Sequence, residues 1–239
     1  MDQNKKPMIS QIEELVMNIP GWSPIDQLYT LFFLVYVNSY IEGNIIEIGS
    51  WCGRSSSVLG LAARMTGVKK IICIDLFPNK SDWIKNPDGT YSFKVKFDNS
   101  ECAAYTEQTV WKEPYENAIL PVYEKNESLF ALFSENMKNL GYDDLVTPIK
   151  GNSSVLKHNV NKSFKCKFAF IDGDHGYDAV CNDIRNVEKY LVPGAWICFD
   201  DAFSSYEGVS RAIEDMIIEN PAYSNSQQMT RKLFVARKK

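Results

Sequence analysis

The sequence predicts an α/β fold, with helices on both faces of a mostly parallel sheet. Short apolar runs that read as buried strands alternate with segments of helical periodicity, the pattern of a parallel sheet covered by its crossovers. The first strand runs through a turn holding Gly49 and Gly53 into a helix. Two later strands, ending at Ile171 and Phe199, run directly into aspartates.

The elements follow in order. Ile9, Ile12, Leu15, Val16 and Ile19 keep helical spacing until Pro20-Gly21 stops them. Pro24 opens a second helix with Leu28, Leu31, Phe32, Val35 and Tyr36 on its inner side. Asn44 to Ile48 is a short buried strand, Gly49 to Arg54 its turn, and Ser55 to about Met65 a helix capped by Gly67. Ile71 to Ile74 is the second strand, ending at Asp75. A helix from Glu127 to Leu140 turns Phe130, Phe133, Met137 and Leu140 inward, and Val146 to Lys150 is a strand. Phe168 to Ile171 is the next strand, followed by a helix over Ala179 to Leu191. Trp196 to Phe199 is a strand, then Val209 to Glu219 a helix. Leu233 to Ala236 closes the series beside a weaker strand near Tyr223 to Gln228.

Residues 78–125 break the rhythm. The interval holds Trp83, Tyr91, Phe93, Phe97, Tyr105, Trp111, Tyr115 and Tyr123, and it is too long for a structureless loop. It reads as an insertion over the sheet's carboxyl edge: either a lid, or a packed subdomain or interface. The chain reads as one domain over 1–239, with this insertion within it.

Composition excludes several classes. Of 239 residues, 45% are hydrophobic and 23% charged, which is globular rather than disordered. The formal net charge of -4 leaves no basic footprint for nucleic acid. Arg231, Lys232, Arg237, Lys238 and Lys239 are the one basic cluster and read as a solvated end. No apolar run reaches the roughly 18 residues of a membrane span, and Met1 to Lys6 lacks an apolar signal core. Six cysteines without a C-x-x-C pair argue against a zinc or redox motif and for a reducing, cytoplasmic setting.

The turn Glu47-Ile48-Gly49-Ser50-Trp51-Cys52-Gly53-Arg54-Ser55 sits where open α/β sheets bind ligands. Counted from Gly49, the three glycine positions of a dinucleotide fingerprint hold Gly49, Trp51 and Arg54, so a pyrophosphate is a poor fit. Neither a P-loop nor a Gly-x-Ser-x-Gly elbow is present. An acid before the turn suits a cationic group. Asp75, at the end of the next strand, can accept both hydroxyls of a ribose. Ammonium and ribose without pyrophosphate suggest S-adenosylmethionine; ordinary tight turning would use the same glycines.

Asp172, Asp200 and Asp201 stand at the ends of two strands. If the strands are neighbours, the carboxylates converge, and such charges repel unless neutralised. An all-oxygen set favours Mg²⁺ or another divalent cation; the alternative is that Asp200 or Asp201 caps the next segment. Asp174 and His175 share the turn after Asp172, and either can take a proton from a hydroxyl. His158, in a polar stretch, is read as inert.

The string from Asn44 to Ser50 and on through Gly53-Arg54-Ser55-Ser56 resembles the first motif of class I S-adenosylmethionine-dependent methyltransferases. Ile171 to Tyr177, Asp183, Pro193-Gly194 and the Asp200-Asp201 pair resemble the subgroup holding macrolide-sugar and aminocoumarin O-methyltransferases and cephalosporin-hydroxylase-like proteins. The resemblance spans residues 20–76 and 127–236. It implies a Rossmann-like seven-stranded sheet with the last strand antiparallel. It implies that Glu47, Gly49, Ser50, Gly53 and Ser55 surround the methionine end of the cofactor, with Asp75 at the ribose, Asn152 and Ser153 by the adenine, and Asp172 nearby. It further implies Mg²⁺ on Asp172, Asp200 and Asp201, and Asp174 or His175 as base. The expected partner is a small-molecule acceptor with a sugar or phenolic hydroxyl; a homo-oligomer stays open. The rivals are a hydroxylase or oxidoreductase on the same scaffold, and a cofactor-binding protein without turnover.

Overall fold

The computed structural model describes residues 6–97, 100–106, 108–126, 128–161 and 163–239. Residues 1–5 and Glu127, the expected start of a helix, lie outside the described residues. Two helices come first, α1 (Met8–Val16) and α2 (Ile25–Val37). Then β1 (Asn44–Ile48), α3 (Arg54–Thr66) and β2 (Ile71–Asp75) make the first crossover unit. Gly67 ends α3 in the left-handed conformation at φ 70°.

The insertion carries β3 (Trp83–Lys85), β4 (Tyr91–Phe97) and β5 (Ser100–Ala104), then α4 (Lys112–Pro114) and α5 (Leu120–Lys125), joined by a π-helical turn. The main fold resumes with α6 (Leu129–Asn139), β6 (Val146–Lys150), α7 (Leu156–Asn159), β7 (Cys166–Ile171), α8 (Tyr177–Glu188) and β8 (Leu191–Phe199). It finishes with α9 (Glu207–Ile213), β9 (Tyr223–Gln228) and β10 (Phe234–Lys238).

Seven strands form one sheet in the order β6-β2-β1-β7-β8-β10-β9. β10 runs antiparallel to both its neighbours, and the other pairings are parallel. The order reverses between β1 and β7, which makes their carboxyl ends a topological switch point. Register then aligns the strand ends. Ile48 lies opposite Ile74 and Ile171, and Ile171 opposite Phe199. The residues that follow, Gly49, Asp75, Asp172 and Asp200, therefore share one rim.

Alternate strand residues feed two cores. Ile45, Cys73, Phe168 and Phe170 pack toward α1, α2, α3 and α6. Ile46, Ile72, Ile74, Ala169 and Ile171 pack toward α8 and α9. The helical stripes are narrower than the spacing suggests: Ile9 and Tyr36 are exposed, while Leu28, Leu31, Phe32 and Val35 are buried. A stripe of i, i+3 and i+4 positions marks a face, and its margins reach solvent.

The 78–125 interval is not a loop. β3, β4 and β5 form a separate antiparallel sheet over a small core of Phe93, Val95 and Ala104. Behind it, Tyr115, Ile119, Val122 and Tyr123 join the main core. The Tyr123 hydroxyl ties the two parts by accepting from Trp83 Nε1 at 3.1 Å and donating to the Pro78 carbonyl at 2.8 Å.

Candidate functional site

The rim opens into a cavity of about 1250 Å³ bounded by the turn after β1, the ends of β2, β7 and β8, and the β3–β5 sheet. Gly49 adopts φ +85°, and a Cβ there would lie 1.8 Å from the Asp172 carbonyl oxygen. Only glycine lets the β1 and β7 termini approach this closely. Trp51 also has positive φ, at 42°. Its N–H donates to Asp75 Oδ2 at 2.9 Å, and its ring packs on Trp22 at 4.4 Å.

Gly49, Ser50, Ser55, Asp75, Asn152, Ser153 and Asp172 all line the cavity. Glu47 and Gly53, expected beside the cofactor, do not. Glu47 is fully buried beneath the turn. Its Oε2 accepts from the Ser50 hydroxyl at 2.8 Å, from Ser56, and from the Cys73 thiol at 3.3 Å. Burial pushes this carboxyl above its ordinary value, against the lowering effect of those hydroxyls. Glu47 thus shapes the turn from below. Gly53 faces Phe133 and Met137 instead of the opening.

Asp75 accepts one backbone N–H on each oxygen, from Trp51 at 2.9 Å and Phe77 at 2.6 Å. Each oxygen keeps lone-pair capacity for a further donor. Asn152 caps its own turn by accepting from Ser154 N, and Asn186 donates to the Ser153 hydroxyl at 3.0 Å. Asp183 on α8, in the same wall, is buried and its carboxyl is pushed up to about 7, chiefly by burial.

The acidic corner departs from the expected ligand set. Asp172, Asp200 and Asp201 do converge, but Lys232 stands among them. Its Nζ lies 3.0 Å from Asp200 Oδ2 and 3.2 Å from Asp201 Oδ1. Asp200 Oδ1 accepts the Asp201 N–H at 2.7 Å, so Asp200 is engaged on both oxygens. Among the described residues, the group near enough to share a cation is Asp172, His175 and Asp201, with ligand atoms within 4.8 Å of one another. Burial and then Asp200 hold the Asp172 carboxyl well above its ordinary value. Burial acts to lower Lys232, but Asp200, Asp172 and Asp201 outweigh it and raise the ammonium above the ordinary lysine value. The Lys232 cation offsets part of the corner's negative charge. Lys232 is 9% exposed, so the reading of the basic cluster as a solvated end fails at this residue.

His175 Nε2 lies 3.2 Å from Asp201 Oδ2, while its buried Nδ1 has no protein partner. Its ring is flanked by Tyr206 at 3.9 Å and Tyr105 at 5.4 Å. Burial acts to raise Asp201, but the His175 hydrogen bond and Lys232 overcome it and hold the carboxyl low. Asp174 is tied at both oxygens, accepting from Gly176 N at 2.8 Å and Tyr105 N at 2.9 Å. That makes Asp174 a fastening point for the insertion. His158 is exposed, outside the cavity.

A profile of the methyltransferase-domain family matches residues 46–202, more than half of the chain. The chain belongs to that family, and its sheet order is that of the Rossmann-like class I methyltransferase fold. An uncharacterized protein of Acanthamoeba polyphaga mimivirus, R132, is 32% identical over 80 residues. That match spans only 32% of either protein's length. Among solved structures, the O-methyltransferase NovP superposes with a TM-score of 0.60 at 15% identity, covering 90% of this chain and 80% of that one. The O-methyltransferase from Bacillus cereus in complex with SAH gives 0.56 at 15% identity, over 100% and 94%. At such identities the likeness establishes the fold.

Proposed function

We propose that the chain methylates a hydroxyl of a small molecule, a sugar or a phenol. The observation that carries this reading is the Asp201–His175 pair, set in one cavity with Gly49 and Asp75. A hydroxyl is a weak nucleophile until it loses its proton, so a fixed base marks an oxygen acceptor. Asp201 orients the imidazole through Nε2 and stabilises it once it carries the proton.

The cavity fits the methyl donor: Gly49 keeps the rim clear of a side chain, and both Asp75 oxygens can still accept ribose hydroxyls. Bound S-adenosylmethionine supplies a sulfonium methyl group, and as the O–CH₃ bond forms the S–CH₃ electron pair stays on sulfur. Ser50 and Ser55 lie at the methionine end, Asn152 and Ser153 at the adenine. Trp22, Trp51, Trp111 and Tyr206 give the opening aromatic faces, which suit a sugar ring or a phenol. The β3–β5 sheet serves as a lid that excludes water, fastened where the Tyr105 N–H meets Asp174.

Mg²⁺ on Asp172, Asp200 and Asp201 does not fit this arrangement. Lys232 holds two of the three carboxylates, and the remaining triplet includes an imidazole, a donor Mg²⁺ disfavours.

The test pairs binding with turnover. S-adenosylhomocysteine should bind wild type and His175→Ala alike by calorimetry. With a panel of sugar nucleotides and phenols as acceptors, His175→Ala should lower kcat by about 10²–10⁴-fold. A wild-type chain that binds neither S-adenosylmethionine nor S-adenosylhomocysteine defeats the reading.

A further inference from the structure

We propose that Lys232 is the resident cation of the acidic corner and keeps divalent metal out of it, taking over the charge-balancing and oxygen-orienting task that a metal would have there. The inference rests on the methyl-transfer reading for what the cation acts upon, but not for the exclusion of metal.

Three observations place the ammonium. First, its position is set by the backbone. Lys232 begins the return of the β9–β10 hairpin, and its carbonyl accepts the Ala202 N–H at 2.9 Å. Gln228 Nε2 holds the preceding carbonyl, that of Arg231, at 2.7 Å. Leu233 beside it is fully buried. The side chain is therefore launched from a fixed point next to Asp200 and Asp201.

Second, Nζ lies 3.0 Å from Asp200 and 3.2 Å from Asp201. Those are direct ion-pair distances, and they put the ammonium on one oxygen of each of the two carboxylates that follow β8. A divalent ion bound to the same oxygens would sit within a few ångströms of a positive charge in a poorly hydrated wall, where like charges repel strongly.

Third, Lys232 itself lines the cavity with Asp172, His175 and Asp201. An ammonium has three donors. Two meet the aspartates, and the third is available to an acceptor oxygen beside the His175 base. The cation would hold that oxygen and favour its ionised form as its proton leaves for the imidazole.

The experiment is titration with MnCl₂, followed by the electron paramagnetic resonance signal of free Mn²⁺, on wild type, Lys232→Met and Lys232→Arg. S-adenosylhomocysteine calorimetry on the same samples reports on the cofactor site. Wild type and Lys232→Arg should leave the Mn²⁺ signal untouched at millimolar metal. Lys232→Met should gain one site per chain, with affinity at least roughly 100-fold above wild type. One Mn²⁺ held per wild-type chain overturns the proposal. So does a folded, cofactor-binding Lys232→Met that gains no site. If Lys232→Met does not fold, Mn²⁺ held by Lys232→Arg or wild type overturns the proposal, and its absence from both supports it. Failure of S-adenosylhomocysteine to bind wild type would strike the methyl-transfer reading and leave the metal result standing.

Discussion

Asp183 shows how one buried side chain sets a pH dependence. Its carboxyl is pushed up to about 7, with burial as the main cause. Below the unfolded value near 4 the proton is bound in both states, and the neutral acid's contribution to stability is fully present. Between about 4 and 7 the folded chain keeps the proton while the unfolded chain releases it, so stability falls as pH rises. Above 7 the contribution is gone, a loss of at most about 4 kcal/mol. Asp183→Asn should flatten that decline, measured as urea-unfolding free energy at pH 5 and pH 8; equal slopes for both proteins would refute the assignment. Residue-level reading of the sequence found Asp172, His175 and Asp201, because aspartates after apolar strands are a local signal. Lys232 escaped it. Among Arg231, Arg237, Lys238 and Lys239 it looks like a solvated charge, and only the path of the last strand brings it inward.

At the scale of elements, the switch point depends on Gly49. Its Cβ would strike the Asp172 carbonyl, and its φ is one that side chains rarely adopt. Gly49→Ala should destabilise the fold by roughly 3 kcal/mol and abolish S-adenosylhomocysteine binding. Denaturant melts and calorimetry check both, and a variant with wild-type affinity would show that the rim can spread at little cost. The strands of the main sheet were largely legible: β1, β6 and β9 fall where the apolar runs and turn residues put them. Helix margins were less so, since α9 gives way to a π-helical turn at Glu214 that no spacing announces. Within the insertion, Tyr91 to Phe97 alternates apolar and polar residues as a half-buried strand should. Its partners, Trp83–Lys85 and Ser100–Ala104, are too short or too mixed to show a period.

At the scale of the whole molecule, two bodies share the cavity: the seven-stranded sheet and the small sheet over its rim. They touch at the acidic turn through Tyr105 and at the core through Tyr123, which is packed in the main core and accepts from Trp83 of β3. Hydrogen exchange should report the coupling. With S-adenosylhomocysteine bound, amides of β5 and Tyr105 should exchange roughly tenfold more slowly, while those of β9 at the far edge should not change. Unaltered exchange in residues 100–105 would mean that the small sheet is a fixed wall. The lid role was left open by the sequence for a physical reason: aromatic content says that a segment packs, not whether it moves.

The reversed direction of β10 has its own effect on the chemistry. Parallel strands deliver the residues after their last to the rim, whereas a strand entering from the rim delivers the residues ahead of its first. Lys232 arrives that way, on a hairpin seated beyond β8. Fraying of that peripheral ribbon would withdraw a charge from the heart of the pocket without disturbing a single donor-binding group, so catalytic vigour and cofactor affinity are free to drift apart.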